Sequence, residues 1–271
     1  MQKHLDLKKN SLLLYFVVAF ALPIITTIVV VLVAGAPSGL VVNEISVAAL
    51  VVVLAMVHAP MIAATIVVFR SQRFAGIANL FGQLKYWKFG PQWYITAILI
   101  FPATIVAVLL VLSLFSSSFT PVLSLGAMAF AALFSTLLEE IGWTGLATPL
   151  MLKKMSPLKV GLYLGFIHAM WHLAANIYGA GAFHGNLFIV NFLATSIGII
   201  GLRIVTVWIY MRTGSLVLGW LTHLGFTGGQ LSFVSLTLTS GETIVWNAAF
   251  SIALIGIVFL LLARNRDLIG R

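Results

Sequence analysis

Eight stretches of this sequence run for about 18 residues or more with scarcely a charged side chain, and a helix of that length, rising ~1.5 Å per residue, crosses the ~30 Å hydrocarbon layer of a bilayer. They are Ser11 to Ala34, Ile45 to Phe69, Tyr94 to Phe115, Val122 to Ala147, Leu158 to Ile177, Leu187 to Tyr210, Ser215 to Leu238 and Val245 to Ala263. Such a chain has little with which to cover itself in water. Only 8% of its residues are charged and 61% are hydrophobic, whereas soluble domains carry about 25% charged residues. Gly, Pro, Asn and Ser punctuate the connections, as in Gly35-Ala36-Pro37-Ser38 and Ser116-Ser117-Ser118. The spans lack the polar alternation over about ten residues that marks a membrane strand. The expected fold is therefore all-α, a polytopic transmembrane bundle of about eight helices. Residues 1–271 form one membrane domain, a multi-pass protein of the cell membrane.

The net charge of +9 would suit nucleic acid if the basic residues were gathered on one face, but they sit at alternate loops. Lys3, Lys8 and Lys9 precede the first span; Arg70, Arg73, Lys85 and Lys88 follow the second; Lys153, Lys154 and Lys159 follow the fourth; Arg212 follows the sixth; Arg264, Arg266 and Arg271 follow the eighth. The loops after spans one, three, five and seven hold no Lys or Arg. By the positive-inside rule both termini are cytosolic and the number of crossings is even. The first span reads as a retained anchor, since it exceeds the roughly 7 to 15 apolar residues of a signal peptide. Arg70 to Trp93, with Phe74, Ile77, Leu80, Phe81 and Leu84 at helical spacing, reads as a helix along the cytosolic interface. With no cysteine in the chain, disulfides, thiolate zinc sites and a cysteine nucleophile are excluded.

Ionisable side chains inside a membrane are costly and usually have a task there. Here they are Glu139, Glu140, His58, His168, His172, His223 and, toward the cytosolic end of the sixth span, Arg203; Asp6, Glu44, Glu242, Asp267, His4 and His184 fall in tails or loops. Counting from the cytosolic ends puts Glu139, His172 and His223 at a common depth of roughly 12 to 18 Å, on three different helices. Their helix faces agree as well, because residues three or four apart lie on one side. Gly161, Gly165, His168, His172 and Asn176 form one stripe; Ser215, Gly219, His223 and Thr227 another; Ala131, Ser135, Glu139 and Gly142 a third. Gly161-x-x-x-Gly165 is a close-packing pattern for membrane helices. A carboxylate pair with imidazoles in a dry pocket suits general-base hydrolysis: a carboxylate takes a proton from water while imidazoles orient it or donate to an oxyanion. The same groups also suit zinc, with two His, one Glu and an open position. His168-Ala169-Met170-Trp171-His172 lacks the Glu that a zincin motif places after its first His. Interhelical hydrogen bonding with no further role remains the alternative for any one of these groups.

Glu139-Glu140-Ile141-Gly142-Trp143-Thr144-Gly145, followed by Trp171-His172-Leu173 and Leu221-Thr222-His223, resembles the CPBP family, the intramembrane proteases related to the type II CAAX prenyl protease and to abortive-infection and bacteriocin-immunity proteins. The resemblance runs from about Leu123 to Phe233, residues 123–233 being the expected catalytic core. It implies an endopeptidase that cuts membrane-embedded or lipidated substrates near the cytosolic side. Glu139 would be the general base, His172 would position the water, His223 and Thr227 would line the oxyanion site, and Glu140 would organise the pocket. Zinc, if present, would fall to Glu139, His172 and His223, although a metal-free glutamate mechanism is slightly favoured. Three positions depart from the family pattern. Thr144 stands where many members have the arginine of Glu-Glu-x-x-x-Arg, so the counter-charge for Glu140 is expected to be missing and a hydroxyl to take its place; His168 stands where Phe is usual, and Thr227 where Asn is frequent. Thr144, His168 and Asn176 are the expected supporting residues around the site. Two other readings compete, a catalytically silent binding or immunity protein and a proton-coupled transporter.

Overall fold

The computed structural model describes residues 7, 10–35, 47–179 and 185–270, and among these every regular element is helical. Lys3, Lys8, Lys9, Glu44 and His184 lie outside the described residues. The helices are α1 Ser11–Ala34, α2 Val47–Gly82, α3 Pro91–Ser113, α4 Ala127–Gly142, α5 Thr148–Leu152, α6 Pro157–Gly179, α7 Phe188–Thr213, α8 Leu216–Phe233 and α9 Ser240–Arg264. Each expected span holds a helix; in the fourth, α4 runs through a π turn at Trp143–Ala147 into α5, which lies just beyond the expected end at Ala147. Five of them, α1, α2, α3, α7 and α9, are long and apolar enough to cross a membrane. The integral-membrane reading rests on those five. The site-bearing α4, α6 and α8 do not reach that measure among the described residues, so crossing number and orientation stay with the sequence argument.

Local chemistry explains the boundaries. Pro91 starts α3 because its missing N–H is not needed in the first turn, and Thr239 with Glu242 forms a reciprocal capping box at the start of α9. The second span was expected to end at Phe69, yet the helix continues to Gly82 across a break at Arg73, whose φ of 55° and ψ of −141° are not helical. Beyond the break the segment is amphipathic as its spacing suggests. Phe74 is exposed, whereas Leu80 is buried and Ile77, Phe81 and Leu84 pack against the core.

Close helix contacts are made at glycines. A Cβ on Gly161 would lie 2.8 Å from Ile204 Cα, and one on Gly165 would lie 2.7 Å from Ile200 Cα, so α6 and α7 touch backbone to side-chain stub along the expected glycine stripe. Gly142 of α4 likewise meets Pro60 of α2, and Gly225 of α8 meets the Ile98 carbonyl of α3. On the far side of α6, the Trp171 indole donates to the Ala19 carbonyl of α1 at 3.0 Å.

The basic connections gather at one end of the bundle. Ser215, between α7 and α8, donates to the Tyr86 carbonyl at 3.0 Å, and Arg212 reaches Asp267 at 2.9 Å and Asn265 at 2.7 Å. Gly270 packs against Ser156, next to Lys153 and Lys154. The connection between α3 and α4, which has no basic residue, instead bonds to the far end of α8: Val122 N–H donates to Phe233 O at 3.1 Å and Ser124 N–H to Ser232 O at 2.8 Å. This separation is what a positive-inside distribution requires. Reporters fused after Lys88, after Lys154 and at Arg271 should therefore all report cytosol, and one inserted at Ser117 should report the opposite face. Two basic connections on different sides would defeat the topology.

Candidate active site

Glu139 and Glu140 are consecutive on α4, and a helix turns about 100° per residue, so the two carboxylates leave it toward different neighbours. Glu139 is directed to α6 and Glu140 to α7 and α8. Both are buried, at 5% and 0% exposure. Immediately after them the helix widens into a π turn over Trp143–Ala147, a local distortion often found at functional sites. Its loosened carbonyls are satisfied by side chains: Thr148 Oγ1 donates to Trp143 O at 2.8 Å and Gln83 Nε2 to Gly145 O at 2.9 Å. The π turn holds Thr144 beside Glu140, and the Thr144 hydroxyl donates to Glu140 Oε2.

The centre of the site is Arg203 of α7, fully buried. Its Nη2 donates to Glu140 Oε1 at 2.5 Å and its Nε to His168 Nδ1 at 2.9 Å. An Nδ1 that accepts must carry no proton, so the His168 ring is protonated at Nε2, which donates to Glu139 Oε2 at 3.2 Å. One guanidinium thus reaches Glu140 directly and Glu139 through one imidazole. His223 of α8 joins by donating Nδ1–H to Glu140 Oε1 at 2.9 Å, leaving Nε2 as its free acceptor. The guanidinium carbon also lies 5.9 Å from the Trp143 ring centroid, a cation–π contact.

Of the residues singled out from sequence, Glu139, Glu140, Thr144, His168, His172 and His223 are brought together. His172 is half-buried, its ring 4.9 Å from that of His168, and the His168 and His223 rings are 5.6 Å apart. Thr227 and Asn176 are half-buried one helical turn beyond His223 and His172, and no described hydrogen bond links them to the carboxylates. His58 bonds within α2, to Leu54 O at 2.7 Å. The sequence marked Arg203 only as an ionisable group inside a span. The available signal was a lone arginine between apolar neighbours, in Ile199-Ile200-Gly201-Leu202-Arg203-Ile204-Val205, which inside a membrane span calls for a partner. The counter-charge expected to be missing at position 144 comes from α7.

One described grouping has the spacing for a metal: Glu139, His168 and His172 each offer a ligand atom within 4.8 Å of the others. It differs from the set expected for zinc, with His168 in the place of His223. Its hydrogen bonding does not suit a metal. The His168 Nδ1 lone pair is taken by Arg203, and the Nε2 facing Glu139 then carries the proton. Ligation by that ring requires the opposite tautomer and loss of the Arg203 bond.

Residues 121–228 match the model of the type II CAAX prenyl endopeptidase Rce1-like family. The chain carries an Rce1-like domain. This match supports membership of the CPBP family and a protease lineage. The Rce1-like segment spans Glu139 through His223 and so includes every member of the buried network, Arg203 among them, whereas α1, α2, α3 and α9 lie outside it. Comparison with curated proteins gave no match.

Proposed function

We propose that this Rce1-like protein is an intramembrane endopeptidase that hydrolyses peptide bonds of membrane proteins or lipidated peptides with water activated by Glu139. The observation that carries the reading is the division of labour between the two glutamates. Glu140 is held by Arg203, His223 and Thr144, whereas Glu139 has one described hydrogen bond, from His168 to Oε2. The Trp143 indole is a second neighbouring donor to Glu139, and we assign Glu139 Oε1 to the water molecule. Ligand atoms of Glu139 and His172 no more than 4.8 Å apart are within the reach of one bridging water, which needs about 2.8 Å to each side.

In the proposed reaction the water oxygen bonds to the scissile carbonyl carbon while Glu139 takes its proton. The oxyanion so formed is met by donors lining the same site, for which Thr227 and Asn176 are the candidates. Collapse breaks the C–N bond as the proton passes from Glu139 to the departing nitrogen, leaving a carboxylic acid, which keeps the second water proton, and an amine. Burial keeps bulk water from competing with these bonds. The test is cleavage of a membrane-spanning or farnesylated peptide by the purified protein in liposomes, with the products identified by mass. Absence of cleavage from every such substrate would sink the proposal.

The same reading makes no use of zinc. After exhaustive chelation the protein should contain less than stoichiometric zinc and keep its activity. Loss of activity that returns on adding zinc back would replace the glutamate-and-water scheme with a metal one.

A further inference from the structure

We infer that Thr144, His168 and Arg203 act as one unit, in which Arg203 of α7 is the positioning residue that replaces an arginine on α4. The inference deepens the endopeptidase reading and rests on it for its kinetic consequences. Thr144 and His168 are two of the three positions at which the sequence departs from the family pattern. They are also the two that meet Arg203 or its partner. The guanidinium reaches Glu140, whose second oxygen is held by Thr144, and in the same plane its Nε reaches His168. A phenylalanine at 168 would offer Nε no acceptor, adding a second orphan to Nη1, which already lacks a protein partner. Each departure therefore suits the presence of an arginine on α7.

Packing points the same way. Gly219 of α8 approaches position 144 so closely that a Cβ on it would lie 2.8 Å from Thr144 Cγ2. A long side chain at 144 has little room while Arg203 fills the centre. The functional consequence runs through His168. By accepting from Arg203 Nε, that ring is fixed as an Nε2–H donor to Glu139 Oε2, so that one oxygen of the catalytic carboxylate is held and the other is left for water. Arg203 acts on the reaction through His168 and Glu140 and touches neither water nor substrate in this scheme.

The experiment is a set of full-length variants: R203L, R203K, and the triple variant T144R/H168F/R203L, which moves the guanidinium onto α4 and removes the imidazole. R203L should lower kcat by about 100-fold or more, with KM changed by no more than about threefold, and should lower the melting temperature in detergent. R203K, which keeps the charge but cannot serve Glu140 and His168 in one rigid plane, should recover the melting temperature better than kcat. The triple variant should recover the melting temperature relative to R203L but not kcat, because it lacks the imidazole that holds Glu139. Wild-type kcat in R203L would overturn the inference, as would a triple variant no more stable than R203L. Nitrogen-15 spectra of the His168 ring in the wild-type protein give a reading that needs neither activity nor a new packing. Protonation at Nε2 and not at Nδ1 is expected, and the reverse overturns the unit. If the wild type cleaves nothing, the endopeptidase reading falls, while the melting temperatures and the His168 tautomer still decide the unit.

Discussion

Replacing Glu139 by glutamine is expected to abolish peptide cleavage and to leave the protein folded, a loss of about 10²- to 10⁴-fold, the usual contribution of a positioned general base. Glutamine keeps the length of the side chain, and its amide oxygen can still accept the His168 Nε2–H bond that Glu139 Oε2 accepts now at 3.2 Å. What is lost is the ability to take a proton from water. Glutamine at position 140 should behave in the opposite way. Glu140 is fully buried and forms the ion pair with Arg203 at 2.5 Å, so Glu140→Gln leaves a guanidinium in the core without its counter-charge. Breaking a buried pair from one side costs roughly 3 to 5 kcal/mol. Measured side by side, Glu139→Gln should melt near the wild-type temperature with no turnover, and Glu140→Gln should melt well below it. Equal loss of stability in both, or turnover surviving in Glu139→Gln, would reverse the roles assigned to the two carboxylates.

That contrast was only partly readable in the chain. Helix positions were legible because a membrane-length apolar run has few alternatives: α1 coincides with the expected Ser11 to Ala34, and α6 and α7 begin within a residue of expectation. The glycine stripe on α6 was legible too, since spacing alone puts Gly161 and Gly165 on the face that bears His168, and that face meets α7. Contacts between helices far apart in sequence were not legible. Arg203 is separated from Glu140 by 63 positions, and although Ser196, Thr206 and Tyr210 share its face of α7, that spacing names no partner on another helix. The expectation that Glu140 lacked a cation followed from looking only along α4. The π turn at Trp143–Ala147 was hidden for a different reason. Apolar periodicity reports which face is buried, and a single inserted residue shifts that face without leaving a distinctive residue type. Arg73 shows the converse case. Its backbone break ends the straight part of α2, yet the sequence after it stays helical and amphipathic, so hydropathy placed the boundary at the loss of apolarity.

Gly165→Leu should be the most damaging single change outside the charged network. The built Cβ at that position falls 2.7 Å from Ile200 Cα and 3.2 Å from Ile200 Cγ1. The first of these is a backbone atom, which cannot turn aside as a side-chain tip can. Forcing extra methylenes into a packed interface costs typically 1 to 3 kcal/mol, and a contact with a helix backbone belongs at or above the top of that range, since α6 and α7 must separate to relieve it. Separation carries a chemical consequence as well as a mechanical one. His168 is on α6, three residues from Gly165, and its Nδ1 is bonded to Arg203 of α7 at 2.9 Å. Moving the helices apart by even 1 Å takes that bond beyond useful length and frees the imidazole that holds Glu139. The expected result is a large fall in melting temperature together with loss of cleavage in whatever fraction stays folded. Gly256→Leu on α9 is the control, because a Cβ there meets nothing within 4 Å, and it should change neither property. If Gly165→Leu melts like the control, α6 and α7 do not approach as described, and the route from Arg203 through His168 to Glu139 loses its structural basis.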